Sequence, residues 1–221
     1  MTAFTRRGFI SAAAGSAALA LLKPSALFAD DKTMKNLPSP SPDAAGSLFS
    51  ALKNRRSTRD FSPKKLPDQI LSDLLWATFG VNRPDSGKRT APSAKNQQEI
   101  DLYVATAEGL YLYDAKPHQL IQLSAEDIRS FCGMQGFVAN APVNIVYVAD
   151  FARMDNMSDE NKVLYSAADT GFIGQNVYLF CAVCGLATVV RGWVNRSSLA
   201  EKMALKKDQR IILSQTVGYP K

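Results

Sequence analysis

Histidine is nearly absent from this chain of 221 residues; His118 is the only one. No Ser-His-Asp arrangement is suggested, and no His/Cys/Asp cluster has metal-ligand spacing, so the expected metal is none. His118 lies between two strand signals, after Lys116-Pro117, and reads as a surface hairpin residue without a catalytic task. Cysteine is also scarce. There are three, an odd count, and two of them form Cys181-Ala-Val-Cys184. The second CxxC that a four-thiolate zinc site needs is missing. The pair is then either an exported redox dithiol or two small buried hydrophobes. A long apolar helical pattern surrounds it and favours the second reading. Excess charge is lacking too. The formal charge is +6, but Arg6, Arg7 and Lys23 fall in the first 29 residues, which hold no acid, leaving +3 for the remainder. That balance argues against a dedicated nucleic-acid binder.

Residues 1–29 read as a twin-arginine-type signal peptide. Thr5-Arg6-Arg7-Gly8-Phe9-Ile10 precedes an alanine-rich apolar run to Leu22, and Lys23-Pro24 breaks the run. The run is too short and small-sided for a good membrane span. Ala29 is the candidate last residue before cleavage, although Leu27 departs from the small residue usual at that offset. An uncleaved N-terminal anchor is the competing reading. Twin-arginine signals are export addresses. The expected location is therefore outside the cytoplasm, in the periplasm, with no stable membrane insertion after cleavage.

Residues 30–42 are polar, end in Pro-Ser-Pro-Ser-Pro and read as an extended linker. Residues 43–221 are long enough for one domain with a real core. Asp43 to Lys53 reads as a helix with Leu48, Phe49 and Leu52 on one side. Pro67 opens a second helix with a core face of Ile70, Leu71, Leu74, Leu75 and Phe79, and Gly80 ends it. Gly80 to Gln98 is loop-like. Ile100–Thr106, Leu110–Tyr113 and Gln119–Leu123 read as an antiparallel meander. Ser124 and Asp127 suggest a capped short helix, and Val143–Ala149 a buried strand. Ser158–Gly185 is the longest helical pattern, apolar on most sides from Ala167. Gly171 and Gly174 within it allow close approach of another backbone. Leu186–Val190 is a strand, Ser198–Ala204 a short helix and Arg210–Val217 a last strand. The mixture indicates an α+β layered domain.

Arg55-Arg56-Ser57-Thr58-Arg59-Asp60-Phe61 puts three guanidiniums and two hydroxyls within five residues. Guanidinium is a planar, permanently charged fork of donors suited to phosphate, and such a cluster can hold one anionic group with a donor to spare. Alone, it could equally be a solvated helix end favourable to the dipole. Ala91-Pro92-Ser93-Ala94-Lys95-Asn96-Gln97-Gln98, alone, is a turn.

These two segments, with Gly185-Leu186-Ala187-Thr188-Val189-Val190-Arg191-Gly192 and the closing Val217-Gly218-Tyr219-Pro220, resemble the nitroreductase-like flavoprotein family in order and spacing. The resemblance covers residues 48–221, and the Gly80–Gln98 loop is most similar to the azoline-dehydrogenase-type branch. It implies a three-layer α/β/α sandwich with a mostly antiparallel central sheet. It also implies FMN at a homodimer interface. Arg55 would lie on the phosphate, with Arg56 and Ser57 at the phosphate and ribityl end. Arg59 would reach the pyrimidine edge, Asn96 and Gln98 would hydrogen-bond the polar edge of the ring, and Pro92 and Ser93 would also belong to the cofactor site. The backbone of Arg191 and Gly192 would sit near N5. No catalytic side chain is implied, because the flavin is the reagent. Glu99 stands where many members have proline. The chain stops at Lys221, where many continue to a further basic residue.

The expected activity is that of an FMN-dependent oxidoreductase passing two electrons between a reduced donor, with NAD(P)H as candidate, and a small organic acceptor such as a nitro compound or quinone. The alternative is a non-enzymatic exported dimer that holds flavin or another small ligand. No nucleic-acid partner is expected.

Overall fold

The computed structural model describes residues 33–40 and 48–221. The expected signal peptide, the rest of the linker and the start of the first helix lie outside the described residues. Nine strands are described: β1 (Met34–Asn36), β2 (Val81–Arg83), β3 (Lys88–Arg89), β4 (Ile100–Thr106), β5 (Gly109–Asp114), β6 (Gln119–Ser124), β7 (Val143–Asp150), β8 (Ala187–Arg191) and β9 (Gln209–Gly218). The helices are α1 (Leu48–Asn54), α2 (Asp68–Phe79), α3 (Asp159–Val183) and α4 (Arg196–Lys202).

Seven strands form one sheet in the order β1-β6-β5-β4-β7-β9-β8, with every neighbour antiparallel. Alternation along the strands divides its two faces. Leu102, Val104, Ile145, Tyr147 and Ala149 join Leu71, Leu74, Leu75 and Phe79 of α2 and Ile173, Val177 and Cys181 of α3. Tyr103, Ala105, Val146 and Val148 point the other way, onto Leu199 of α4, Met203 and the Ile128–Val138 segment. The result is the expected α+β fold with helices on both faces of an antiparallel sheet. Gly174 is the close approach on α3, where an added Cβ would lie 3.2 Å from Gln215 Oε1. Gly171 has open space around it in the single chain.

Three local features differ from the sequence reading. Met34–Asn36, inside the stretch read as a linker, is a strand on the edge of β6. Three residues carry no readable alternation, and the open edge of β6 supplies the pairing. The Gly80–Gln98 loop contains a small hairpin, β2 with β3, whose turn ends on left-handed Gly87 (φ 62°). The helix expected after Ser124 is a single 3-10 turn, Arg129–Phe131. There, Ser124 Oγ and Asp127 Oδ1 each accept from the N–H two residues on, at 3.0 and 3.1 Å, so they make turns instead of a capping box.

His118 is also more than a surface hairpin residue. Its Nε2 lies 2.7 Å from Ser72 Oγ and its Nδ1 2.8 Å from Tyr113 Oη, which ties the β5–β6 hairpin to α2.

Candidate active site

The arginine segment leaves the end of α1, where Arg55 N–H donates to Ala51 O (2.9 Å). It then runs along β8, the last strand of the sheet, with Thr58 N–H donating to Thr188 O (2.9 Å). Tyr178 of α3 holds it there. The tyrosine hydroxyl accepts from Val190 N–H (3.0 Å) and shares a 2.8 Å hydrogen bond with Ser57 Oγ. Its ring centre lies 5.3 Å from the Arg55 guanidinium carbon, a cation–π contact. Arg55, Arg56 and Arg59 are exposed, and none pairs with a carboxylate among the described residues. Guanidiniums this crowded repel one another and favour an anion between them. A cavity of about 720 Å³ opens beside them, with Arg56, Thr58, Tyr178, Thr188 and Pro220 on its wall. Its size is that of a cofactor or ligand site.

Arg191 ends β8 and Gly192 follows it, four residues beyond Thr188, on which the arginine segment pairs. The Arg191 side chain turns inward and is only 5% exposed. It donates to Cys132 O (2.8 Å), Asn144 Oδ1 (3.0 Å), Ser214 Oγ (3.0 Å) and Thr216 Oγ1 (2.8 Å), all neutral. Burial without a carboxylate pulls its pKa down to about 10. Only the backbone of residues 191–192 is therefore offered to a ligand. Gly192 is exposed, and the turn after it is clamped. Gly192 O accepts from Val194 N–H (3.0 Å) and from Arg196 Nη1 (3.3 Å), while Arg196 also donates to Ile211 O (3.0 Å) and Ile212 O (2.9 Å). Trp193 stands on this turn 67% exposed.

Pro92, Ser93, Asn96 and Gln98 lie in a strained loop. Lys95, Asn96 and Gln98 all have positive φ (53°, 56° and 48°), a conformation that costs non-glycine residues about 1–2 kcal/mol each. Side chains hold it. Ser93 Oγ accepts from Gln98 N–H (2.9 Å), and Asp169 Oδ2 of α3 accepts from Ala94 N–H (2.8 Å). The Gln98 amide is fully engaged: it accepts from Arg89 Nε (2.9 Å) and donates to Gly87 O (3.0 Å) and Asn96 Oδ1 (3.1 Å). Gln98 is thus a brace for Asn96, and exposed Asn96 keeps its amide donors for a ligand.

Asp169, which anchors the loop, and Tyr178, which anchors the arginines, are separated on α3 by about 13 Å along its axis. Sequence reasoning missed Tyr178, Asp169 and Trp193. Asp169 could have been found, since it is the lone charge between Ser166 and Val183.

Cys181 is buried in the core and its burial pushes the thiol well up, so it holds its proton. Burial raises Cys184 as well. A reactive dithiol needs the opposite environment.

This fold, with a donor-rich cavity at the β8 edge of the sheet, is that of a flavin-dependent oxidoreductase. Residues 52–219 match the family model described as the nitroreductase family, and the chain belongs to that family. It is 28% identical over 170 residues to a protein designated a nitroreductase in Methanocaldococcus jannaschii, covering 72% of this chain and 85% of that one. A crystal structure of a Ralstonia eutropha JMP134 protein assigned as a nitroreductase is 46% identical, with a TM-score of 0.82 over 85% of this chain and 90% of that one. The NADPH:FMN oxidoreductase of Vibrio harveyi, solved with NAD+, shares the fold at 19% identity, with a TM-score of 0.60 over 78% of this chain and 68% of the other.

Proposed function

We propose that the protein is an FMN-dependent oxidoreductase passing two electrons from a reduced donor, with NADH or NADPH as candidate, to a small planar acceptor such as a nitro compound or quinone. One observation carries the reading: three exposed guanidiniums, none paired with a carboxylate among the described residues, cluster at a cofactor-sized cavity whose wall includes Arg56. Arg55 and Arg56, with Ser57, would hold the phosphate and ribityl end. Arg59 would stabilise negative charge on the pyrimidine edge. Asn96 carries both a donor and an acceptor, as an alternating N–H and C=O edge requires. Bound flavin would supply hydride chemistry at N5, while the chain supplies orientation, electrostatics and shelter from water. Trp193, exposed on the clamped turn after Gly192, would stack a planar acceptor.

The working unit proposed is a homodimer with one site at each end of the interface. Its support is the distance between the two donor groups on α3 and the apolar side chains left uncovered on α1 and α3. The twin-arginine segment supports export to the periplasm, where a reductant other than nicotinamide would serve.

The absorbance spectrum of the purified protein tests the reading. A flavin band near about 450 nm is expected, bleached by donor under anaerobic conditions. A protein that stays colourless after incubation with excess FMN would refute it. Flavin that NADH fails to bleach would remove nicotinamide alone.

A further inference from the structure

Beneath the strained 93–98 loop lies a carboxyl group that the flavin reading leaves without a task. Glu99 is fully buried, at 0% exposure, and neither of its carboxylate oxygens has a donor. The group it meets is another carboxylate, Asp169, itself 3% exposed. Two carboxylates can hydrogen-bond only if one of them keeps a proton. The proton's place follows from the neighbours. Asp169 Oδ2 accepts from Ala94 N–H (2.8 Å), whereas no hydrogen bond of good geometry reaches either Glu99 oxygen, so the proton is placed on Glu99.

No cation forms an ion pair with either carboxylate among the described residues. Arg153, the nearest, is committed to Asp101 (2.6 Å) and Asp150 (3.6 Å) and donates to the backbone oxygen of Glu99 (2.8 Å). Arg89 of β3 acts on Asp101 and braces Gln98. The charged groups acting on Glu99 are Asp169 of α3 and Arg153 of the turn after β7, and Arg153 is already shared between Asp101 and Asp150.

We propose that Glu99 and Asp169 share one proton, and that this proton locks the 93–98 loop in the shape that receives the cofactor. Glu99 is then a positioning residue acting through Asp169 and Ala94. The proposal rests on the flavin reading only for what the loop holds. Loss of the proton to solvent leaves two buried negative charges face to face. They relax by separating, which releases Ala94 N–H and lets Lys95, Asn96 and Gln98 leave the left-handed region. Burial raises the Glu99 pKa, its own backbone N–H and Arg153 pull it down, and Asp169 raises it, leaving it at about 7. The sign is fixed by linkage. The unfolded chain loses this proton near the ordinary carboxyl value, so the contribution to stability is complete in acid and disappears as pH rises through about 7.

The experiment measures two quantities from pH 5.5 to 8.5 in wild type, Glu99→Gln and Asp169→Asn: thermal unfolding of the flavin-free protein, and FMN affinity. Each substituted amide supplies the bridging N–H permanently. The expected wild type loses stability toward high pH and binds FMN less tightly by up to about tenfold per pH unit above neutrality. Both variants are expected to lose this dependence and to retain FMN at pH 8.5. A Glu99→Gln profile that superposes on wild type overturns the shared proton. A stability slope that disappears in Glu99→Gln while FMN affinity never depended on pH overturns the lock. A wild type that takes no FMN at any pH, yet keeps a stability slope that Glu99→Gln removes, supports the shared proton and overturns the flavin reading. If both variants fail to fold, the wild-type profiles still decide: a flat one overturns the proposal.

Discussion

At the scale of single residues, the arginines divide by what surrounds them. Arg55 stacks on Tyr178, which fixes its direction, whereas Arg59 has no such partner among the described residues. Arg55→Ala is expected to weaken FMN retention, and Arg59→Ala to lower the reduction potential of the bound flavin more than its retention. A lost charged hydrogen bond is worth about 1.5–3 kcal/mol, or roughly ten- to a hundredfold in affinity. Equilibrium dialysis and a potentiometric titration separate the two effects, and equal losses from both variants would contradict the division. Arg191 works by different physics, since its charge serves the interior. Gly133 makes room for it: an added Cβ would stand 1.8 Å from Arg191 Nη1. A flexible side chain would give way there, but four hydrogen bonds pin this one. Gly133→Ala is therefore expected to lower stability by about 1–3 kcal/mol, the usual cost of overpacking. Denaturant unfolding checks it, and an unchanged midpoint would show that the guanidinium can move.

At the scale of elements, the 33–40 segment shows how a polar stretch becomes structure. Gln122 N–H donates to Thr33 O (2.9 Å), Gln69 Nε2 to Ser39 O (3.0 Å) and Ser72 Oγ to Pro38 O (2.5 Å). Removing residues 1–40 is expected to cost roughly 2–3 kcal/mol, at about 1 kcal/mol per hydrogen bond, and to expose the β6 edge to self-association. The same contacts set the state of His118. Because Ser72 Oγ gives its proton to Pro38, it accepts from Nε2–H, and Nδ1 accepts from Tyr113 O–H. Burial holds the imidazole neutral, below its ordinary pKa of 6.5. As pH falls the unfolded chain takes the proton first, so stability declines below about pH 6.5. A melting series in which His118→Gln keeps that acid loss would refute the assignment. Long, strongly patterned elements such as α2, α3 and β7 were legible because their apolar spacing is local. β1 and the β2–β3 hairpin were not, since their partners, and not their own residues, make them strands. Asn96 was legible as an amide in a surface turn, and it is exposed. The internal use of Gln98 was not, because Arg89 and Gly87 meet it only after the hairpin forms.

At the scale of the whole molecule, the exposed apolar side chains point to a second copy. Phe49 is 83% exposed on α1, and Leu48, Leu52, Val163, Leu164 and Phe172 are also uncovered on α1 and α3. Each such side chain, fully buried, contributes about 1.5–3 kcal/mol. Asp169 and Tyr178, the anchors of the two donor groups, lie about 13 Å apart along α3, and in the proposed dimer one flavin would use the arginines of one copy and the Asn96 loop of the other. Phe49→Asp separates folding from assembly, because Phe49 contributes nothing to the core clusters of the single chain. It is expected to elute at the monomer mass, to keep its circular dichroism and to lose FMN by roughly tenfold or more, as expected when at least one charged or amide contact worth about 1.4 kcal/mol is removed. Phe49→Leu should remain a dimer and stay yellow. A monomeric Phe49→Asp that holds FMN as tightly as wild type would mean that one chain's arginines and cavity suffice, and that the Asn96 loop serves something other than the ring.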